Sequence, residues 1–559
     1  MTAPTGPATA DHTVDVAVIG GGLGGMAAAL AAAEAGCTVV LTEGTSRLGG
    51  QVTTQLVPAL DEHEHIETFA SASYARLRAG IRAASGGDAN PGGGWVSRLC
   101  FEPAIAERVL HAMLAPHQEQ GRLRVLTGYH PVTARVHADR VSEVRLAGTG
   151  ADVIVRATMF CDATELGDLL PLAGVPWVIG SEGRDAYGEP HALPGGPQPA
   201  ATQAITWCFA VEHLPGQDHT QPAPPQYEQF RADQPFTLDI AGWDDDVHRY
   251  RMFTTDRQNN GASGRPPFWS YRRIRRGAPT SATGAGEIAV INWVGNDYAG
   301  VSLVDDPTRA SREARELSLS FLHWLQTEAP HDSGAGCGFP GLRLCPQVAG
   351  TPDGLAEAPY VRESRRLRIT RPVTYHDLQP ERPGAVRPVP IPDSVGTAWY
   401  SADLHPRVGA PGAVYAPTAP FQIPLRALIA TRPHNVLAAA KNLGATQVAA
   451  AAYRVHAGEW SVGEAAGAVA AYCVRTGTDP RQVAASPTRL LALQRALLAR
   501  GVPLAWLIDI PPGAPNFTAA HLQAVHGALA GPRLERLRVE ETAAALTRTA
   551  MTSPPQEER

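Results

Sequence analysis

A glycine-rich turn near the start of the chain constrains its fold more than any other feature. Gly20, Gly22 and Gly25 form a G-x-G-x-x-G pattern directly after an apolar run at residues 14–19. The pattern predicts a buried strand over that run and a helix over 23–35. The first glycine permits a tight turn, the second lets the backbone approach a diphosphate, and the third lets the helix pack on the strand. Free N–H groups at the helix N-terminus then favour phosphate binding.

The residues that follow indicate which dinucleotide the turn binds. Glu43 comes at the end of a second predicted strand, over 38–41, where a carboxylate would accept hydrogen bonds from ribose hydroxyls. Arg47-Leu48-Gly49-Gly50 is typical of the R-x-G-G turn that follows this acid in FAD enzymes, and it favours FAD over NAD. We expect Gln51 to lie beside the isoalloxazine ring. Two plainer interpretations stay open: a glycine turn in an unrelated protein, and a solvated Arg47.

A cofactor as long as FAD needs a distant segment to hold its ring end, and two segments fit. Asp162 follows a predicted strand, and it either approaches the cofactor or caps a turn. Residues 436–440 predict a strand of small residues, followed by Lys441-Asn442 and by a helix over 462–474 that opens with Gly463-Glu464-Ala465. The N-terminus of this helix would favour negative charge on the reduced flavin. The alternative is an Ala/Gly helix packed tightly on a sheet.

Composition limits the class of protein. With 559 residues, the chain should contain two or three structural units. The net charge of -6 argues against a nucleic-acid partner, and the seven scattered cysteines include no C-x-x-C pair. We find neither a secretory signal nor an apolar run long enough to span a membrane. We therefore predict a soluble, cytoplasmic protein with no metal site and no membrane partner, and we leave a homo-oligomer open.

An ordered set of motifs along the chain resembles one family. Beside the glycine turn, the motifs lie at residues 48–51, 161–168, 291–298, 362–366, 421–424, 441–442 and 453–467. Together they resemble the FAD-dependent oxidoreductases often labelled FAD_oxidored, a branch of the glutathione-reductase-like and hydroxybenzoate-hydroxylase-like flavoproteins. Two positions depart from the family pattern, because Ala457 and Val294 stand where many members have proline. Both lie in segments expected near the ring, so details of the substrate transfer poorly.

The resemblance implies an α/β fold with a Rossmann-like FAD-binding domain, which combines a parallel sheet with an antiparallel β-meander. It also implies an inserted α+β substrate domain, and a small helical C-terminal tail unit follows. We expect the first part of the FAD-binding domain over 13–180, mainly the substrate domain over 181–400, the second part of the FAD-binding domain over 401–478, and the tail unit over 479–559.

Several side chains are candidates for the chemistry. Lys441 is the only lysine of the chain, and its compact ammonium could stabilise charge on the reduced flavin. Proton transfer usually uses a histidine, because its pKa is easily tuned. His456 is our first choice and His63 the second, and His405 is also expected near the ring. For each histidine, a structural or surface role is the competing interpretation.

Three arginines are candidate substrate ligands. Arg365, Arg366 and Arg454 could each hold a carboxylate or phosphate of the substrate through a forked contact. They could equally pair with acidic side chains within the fold.

These observations predict an FAD-dependent oxidoreductase, either an oxidase or a dehydrogenase. The favoured reaction removes a hydride from a C–OH or C–N carbon of a small polar metabolite and passes the electrons to O₂ or another acceptor. The sequence shows no second G-x-G-x-x-G pattern after a strand, so an embedded NAD(P)H domain is not expected. Two alternatives remain: a flavin-dependent monooxygenase that uses NAD(P)H, and a non-catalytic flavin-bearing binding subunit.

Overall fold

The computed structural model describes residues 10–234, 236–241, 247–255, 264–277 and 286–526. Within this part of the chain the strands are β1 (Ala10–Ile19), β2 (Val39–Glu43), β3 (Leu123–Thr127), β4 (Tyr129–His137), β5 (Arg140–Gly148), β6 (Val153–Asp162), β7 (Trp177–Val178), β8 (Ile205–Thr206), β9 (Phe209–His213), β10 (Ile240–Ala241), β11 (Val247–His248), β12 (Arg273–Arg275), β13 (Ile288–Ile291), β14 (Asp297–Tyr298), β15 (Leu342–Leu344), β16 (Arg366–Leu367), β17 (Ser394–Ala398), β18 (Ala402–Leu404), β19 (Val414–Ala416), β20 (Phe421–Pro424) and β21 (Val436–Ala438).

The helices over the same ranges are α1 (Leu23–Glu34), α2 (Ala72–Ala84), α3 (Pro103–Glu119), α4 (Leu169–Leu172), α5 (Arg184–Tyr187), α6 (Tyr227–Asp233), α7 (Pro307–Thr327), α8 (Pro346–Ala349), α9 (Gln447–Tyr453), α10 (His456–Thr476), α11 (Pro480–Ala484), α12 (Pro487–Ala499) and α13 (Phe517–Val525).

The largest sheet is the one that the glycine pattern predicts. Strands β3, β2, β1, β6 and β21 run parallel in that order. The N-terminal part of β6 also pairs antiparallel with β5, and β5 pairs antiparallel with β4. The last four residues of β1, at positions 16–19, are apolar and fully buried, as expected for a parallel strand covered on both faces. The predicted α/β fold, a Rossmann-like sheet with an antiparallel meander, is confirmed.

Two helices of small residues lie against each other on this sheet. The helices α1 and α10 make close contacts at Gly24–Gly463 and at Ala28–Gly467. Helix α10 begins earlier than the predicted 462–474, at His456. The residue before it, Val455, has extended backbone angles and ends the preceding segment. This difference places Gly463 inside the helix rather than at its start.

A second hydrophobic core lies outside the main sheet. It surrounds the antiparallel sheet β12-β13-β9-β15, and helix α7 packs on it through Phe321 and Trp324. Apart from Leu56 and Val57, its buried residues lie between residues 205 and 361, after β6 and before β21. A loop of this unit contacts the segment after β2, where Ala358 N–H donates to the carbonyl of Thr54 at 3.1 Å.

The described C-terminal helices share the main core. Buried side chains of α12 and of the segment after it, including Leu493, Leu497, Leu504 and Leu507, belong to the same cluster as β1 and α1. The boundary expected at residue 479 therefore does not coincide with a separate hydrophobic core. The four-part division of the chain stays a prediction. In the described part of the chain, no helix combines the length and the apolar character that a membrane span requires.

Candidate active site

Two glycines of the turn are required by close backbone contacts. Gly20 has φ +105°, and a Cβ atom on it would lie 2.3 Å from the carbonyl carbon of Ala163 at the end of β6. A Cβ atom on Gly25 would lie 1.9 Å from the carbonyl oxygen of Gly20. The first contact seats the turn on the sheet and the second seats α1 on the turn.

Gly22, the middle glycine of the pattern, faces a second glycine turn at Gly49 and Gly50. A Cβ atom on Gly50 would lie 3.0 Å from the Cα atom of Gly22, and Gly49 N–H donates to the carbonyl of Gly21 at 2.8 Å. Cβ atoms at Gly22 and Gly50 would also lie 2.8 Å and 3.0 Å from Oε1 of Glu165. The two turns thus form one concave surface of backbone without side chains, and Oε1 of Glu165 lies at its edge. We call it the glycine cradle.

The acid predicted to bind ribose lies beside this cradle. The Glu43 carboxylate accepts hydrogen bonds from Gly21 N–H at 2.7 Å and from Thr45 N–H at 2.8 Å. Arg47 points away from the cradle, since its Nη2 donates to the carbonyl of Ala349 at 2.6 Å and its Nε lies 3.8 Å from the Glu357 carboxylate. Arg47 therefore joins the turn to the second core.

The only lysine of the chain is buried between two carboxylates. The Lys441 ammonium lies 2.5 Å from Glu165 and 2.9 Å from Glu459, and its side chain is 2% exposed. Burial alone would lower the pKa of Lys441, but the two carboxylates raise the pKa above its ordinary value. Glu459 also accepts from Gly24 N–H at 3.1 Å and from Nε2 of Gln51 at 2.5 Å. Lys441 therefore holds a charged network at the N-terminus of α1.

A second group of polar residues lies between the main sheet and the second core. Its members are Arg, Tyr, Asp and His side chains that touch or interact electrostatically with one another, and we call them the polar cluster. They are Asp61, Tyr271, Arg272, Asp297, Tyr360, Arg362, Tyr400, Asp403, His405, Tyr415 and Arg454.

Ion pairs and hydrogen bonds connect the members of the polar cluster, and a hydrogen bond links the cluster to Gln51 beside the glycine cradle. Nη1 of Arg454 donates to the Tyr360 hydroxyl at 2.7 Å, and its Nη2 donates to Asp403 at 2.8 Å. The carbonyl of Arg454 accepts from Nε2 of Gln51 at 3.0 Å, so one residue borders both regions. His405 lies between two carboxylates, with Nδ1 2.5 Å from Asp297 and Nε2 3.4 Å from Asp403.

Comparison with known proteins decides the family. The family described as "FAD dependent oxidoreductase" matches residues 15–497. The chain belongs to this family. FAD is therefore its cofactor, and it is an FAD-dependent oxidoreductase. No curated protein matches the sequence.

Solved structures similar to this FAD-dependent oxidoreductase are distant. A geranylgeranyl bacteriochlorophyll reductase-like protein from Thermoplasma acidophilum has 10% identity and a TM-score of 0.33, over 97% of this chain and 93% of its own. OxyS anhydrotetracycline hydroxylase from Streptomyces rimosus has 15% identity and a TM-score of 0.25, over 38% and 39%. L-proline dehydrogenase from P. horikoshii has 15% identity and a TM-score of 0.18, over 32% of this chain and 26% of its own.

The residues present fit FAD. The glycine cradle offers backbone without side chains next to the N-terminus of α1, as a diphosphate requires. Beside it, Oε1 of Gln51 and Oε1 of Gln55 are buried without a hydrogen-bond partner. Buried acceptors of this kind need donors, and the N–H group of a flavin ring would supply one. These residues, together with Glu43, would hold the cofactor.

Other residues predicted to bind the cofactor have structural contacts. Oδ1 of Asp162 accepts from Thr164 N–H at 3.0 Å, which is the turn-capping interpretation, while its Oδ2 is buried without a partner. Burial raises the pKa of Asp162 to about 7. Nδ2 of Asn442 donates to the carbonyl of Asp162 at 2.9 Å and so joins the ends of β6 and β21.

The segment predicted to open a helix toward the flavin lies inside α10 instead. A Cβ atom on Gly463 would lie 1.9 Å from the carbonyl oxygen of Gly24, so Gly463 serves the contact between two helices. Glu464 is buried on the same helix, 3.9 Å from Arg500, and Ala465 is fully buried in the main core. The contacts of these three residues favour packing roles. The N-terminus of α10 is at His456.

The two favoured histidines also have structural contacts. Nδ1 of His456 accepts from Asp61 N–H at 3.1 Å, and its Nε2 lies 3.0 Å from the carbonyl of Val57. Both ring nitrogens are thus occupied, and burial lowers the pKa of His456. His63 packs against Trp399 and Trp506, and burial lowers its pKa to about 3. A proton acceptor with so low a pKa would be weak at neutral pH.

Of the three predicted arginines, one lies in the polar cluster. Arg454 is a member, as described above. Arg366 is fully buried and uses its guanidinium on Glu182, Glu363 and two backbone carbonyls. Arg365 pairs with Asp168 at 3.0 Å. The contacts of Arg365 and Arg366 favour structural roles.

Sequence reasoning missed most of the polar cluster. Asp61, Arg272, Tyr400 and Asp403 belong to no motif, and they come together from distant parts of the chain. A weak signal existed for others, because Asp297 and Arg362 lie in segments that carry the family resemblance.

Proposed function

We propose that this FAD-dependent oxidoreductase removes a hydride from a C–OH or C–N carbon of a small polar metabolite and passes the electrons to O₂ or another acceptor. When bound, the flavin supplies the two-electron chemistry. The observation that carries the proposal is the polar cluster at the N-terminus of α10. There Asp61 N–H donates to His456 and Gln51 bridges Arg454 and Glu459. A substrate bound there would meet many polar groups beside the cofactor cradle.

A hydride donor with an O–H or N–H group must also lose a proton, and His405 is our candidate acceptor. The Asp297 carboxylate lies 2.5 Å from Nδ1 of His405, and Arg362 pairs with the same carboxylate at 2.9 Å. Burial opposes ionisation, but Arg362 and His405 together lower the pKa of Asp297 to about 2. Asp297 therefore stays ionised and orients the imidazole, whose Nε2 lies 3.4 Å from the Asp403 carboxylate. His405 replaces His456 and His63 in this role.

The roles of the cofactor ligands are part of the same proposal. Gly20, Gly22 and Gly25 shape the diphosphate turn, and Glu43 exchanges its backbone hydrogen bonds for ribose hydroxyls. In a separate role, Lys441 neutralises the two carboxylates beside the cradle; its contacts with Glu165 and with the buried Glu459 support this. That role differs from the direct stabilisation of a reduced flavin ring.

Anaerobic mixing of the purified flavoprotein with candidate metabolites tests the proposal. We expect a polar alcohol or amine to abolish the absorbance of oxidised flavin, and O₂ or an artificial acceptor to restore it. Fast reduction by NADPH, with no reduction by metabolites, would instead identify a monooxygenase. A protein that keeps its flavin but is reduced by neither class would be the non-catalytic binding subunit.

A further inference from the structure

Arg272 differs from the other arginines of the polar cluster. Its residue exposure is 9%, and two of its guanidinium nitrogens, Nε and Nη1, are buried without a hydrogen-bond partner. A buried guanidinium with free donors is unfavourable, because the lost hydration is not replaced. The unsatisfied edge of Arg272 therefore points to a ligand with acceptor atoms.

Each of the three arginines has an aspartate neighbour, but only two of these pairs are closed. Arg362 lies 2.9 Å from Asp297, and Arg454 lies 2.8 Å from Asp403. Nη2 of Arg272 is 3.8 Å from the nearest oxygen of Asp61, which is beyond hydrogen-bond distance. Asp61 is itself held in place, because its N–H donates to Nδ1 of His456. The third pair is thus open on the side of Nε and Nη1.

Three tyrosines lie near the open guanidinium. The Cζ atom of Arg272 lies 5.2 Å from the centroid of the Tyr271 ring, and Tyr360 and Tyr400 interact with it electrostatically. Burial raises the pKa values of all three phenols, so they stay protonated and can donate hydrogen bonds. A planar cation framed by neutral donors matches a carboxylate, which accepts two parallel hydrogen bonds from the fork of an arginine.

We propose that Arg272 binds the carboxylate of the substrate, and that the substrates are small hydroxy or amino carboxylates. The claim that the bound carboxylate belongs to the substrate rests on the proposed function. The presence of an anion site at Arg272 does not. With the carboxylate on Arg272, the neighbouring C–OH or C–N group would remain within the same cluster as His405.

Binding of redox-inert anions to the flavin-loaded protein tests the site without turnover. The probes are acetate and its uncharged isostere acetamide. Their binding is measured by the shift that they cause in the flavin absorbance and by equilibrium dialysis of labelled probe. We expect saturable binding of acetate, and binding of acetamide that is at least about tenfold weaker. Equal affinity for the two probes, or no binding of either, would overturn the proposal.

Variants locate the site. Arg272→Met should raise the Kd for acetate at least about tenfold, and Arg272→Lys, which keeps the charge but loses the fork, should raise it less. Arg343→Met is the matched control, because that side chain is 47% exposed and pairs with Glu212 on the sheet of the second core. Unchanged affinity in both Arg272 variants would overturn the proposal. If Arg272→Met does not retain flavin, the lysine variant and the acetate–acetamide comparison on the unaltered protein still decide.

The proposed function and the anion site can fail separately. If acetate binds through Arg272 but no hydroxy or amino carboxylate reduces the flavin, the site stands and its link to the reaction is overturned. If uncharged alcohols or amines reduce the flavin and Arg272→Met does not slow that reduction, hydride removal stands and the carboxylate class is overturned.

Discussion

A single lysine in the chain is conspicuous in the sequence, but its partners decide what it does. Lys441 is buried between Glu165 and Glu459, so its charge belongs to a network of three groups. The sequence indicates that an ammonium is needed near the cofactor. It does not show that the ammonium is neutralised by two carboxylates, because these residues are distant in the chain.

The Lys441→Met substitution should destabilise the protein as well as impair its chemistry. It leaves two carboxylates without their cation, and breaking a buried pair costs about 3–5 kcal/mol of unfolding free energy. Chemical denaturation and the flavin content of the purified variant measure this loss, and stopped-flow reduction is recorded separately. Adding Glu165→Gln to Lys441→Met should recover part of the stability. Unchanged stability and flavin content in Lys441→Met would contradict the prediction.

Replacing His405 should slow flavin reduction without removing the flavin. His405→Asn keeps a donor near Asp297 but removes the ring that accepts the proton, so the reduction rate should fall by about 10²- to 10⁴-fold. The substrate concentration that gives half the maximal rate should change much less. His376→Asn, on the exposed surface, is the control. A normal reduction rate in His405→Asn would remove His405 from the mechanism.

The buried His63 should make the protein less stable in mild acid. Its pKa is lowered to about 3, so between about pH 6.5 and pH 3 the unfolded chain is protonated and the folded chain is not. The contribution of neutral His63 to the unfolding free energy is fully present above pH 6.5. It falls by up to about 1.4 kcal/mol per pH unit as the pH decreases below that value. His63→Phe, which keeps the packing on Trp399, should flatten this slope in denaturation series from pH 7 to pH 5. An equal slope in His63→Phe would contradict the assignment, and exposed His111→Gln is the control.

At the scale of elements, the fold depends on the contact between α1 and α10. Both helices are rich in alanine and glycine, and their backbones touch because the side chains at the contact are so small. The same contact carries Glu459 to the N-terminus of α1. The two sequence halves of the main sheet are thereby joined at the cofactor cradle.

A methyl group at the helix contact should disrupt it. In Gly463→Ala the new Cβ atom would lie 1.9 Å from a backbone oxygen of α1, and backbone cannot rotate away as a side chain can. We expect a loss of about 3 kcal/mol or more of unfolding free energy, measured by denaturation, together with weaker FAD retention. Gly412→Ala is the matched control, since no atom lies within 4 Å of its Cβ position. Equal stability of the two variants would show that the helices can separate without cost.

At the scale of the whole molecule, the described C-terminal helices complete the main core. Leu493 and Leu497 of α12 are fully buried in the cluster that contains β1 and α1. Ser394 of β17 donates to the carbonyl of Leu504 at 2.7 Å. A chain cut at the predicted boundary of the tail unit would lose these contacts.

Deleting residues 479–559 should therefore prevent stable folding. The deletion exposes apolar surface of the main core, and loss of single buried leucines already costs about 2–5 kcal/mol each. Soluble yield, flavin content and thermal unfolding of the shortened chain measure the effect. Leu493→Ala in the full chain is a milder comparison and should be destabilised but folded. A shortened chain that is yellow and as stable as the full chain would establish a separate tail unit.

Local sequence patterns determined a large part of this protein. The strand, turn and helix at residues 14–35 were predictable because a glycine turn and a buried apolar run are local features. The strand at 436–440 and the family motifs were readable for the same reason. From these, the fold class, the cofactor and the glycine cradle follow.

Only the tertiary structure decided which side chains meet. Arg454 and Arg366 are both plausible substrate ligands in the sequence. In the structure, the guanidinium of Arg366 binds Glu182 and Glu363, while Arg454 lies in the polar cluster. Arg272 and Asp61 show no pattern at all, because their proximity depends on how the second core is placed against the N-terminus of α10. Burial and neighbouring atoms determine the charge of a side chain and which of its hydrogen-bonding groups stay unpaired. These are properties of the folded chain rather than of a motif.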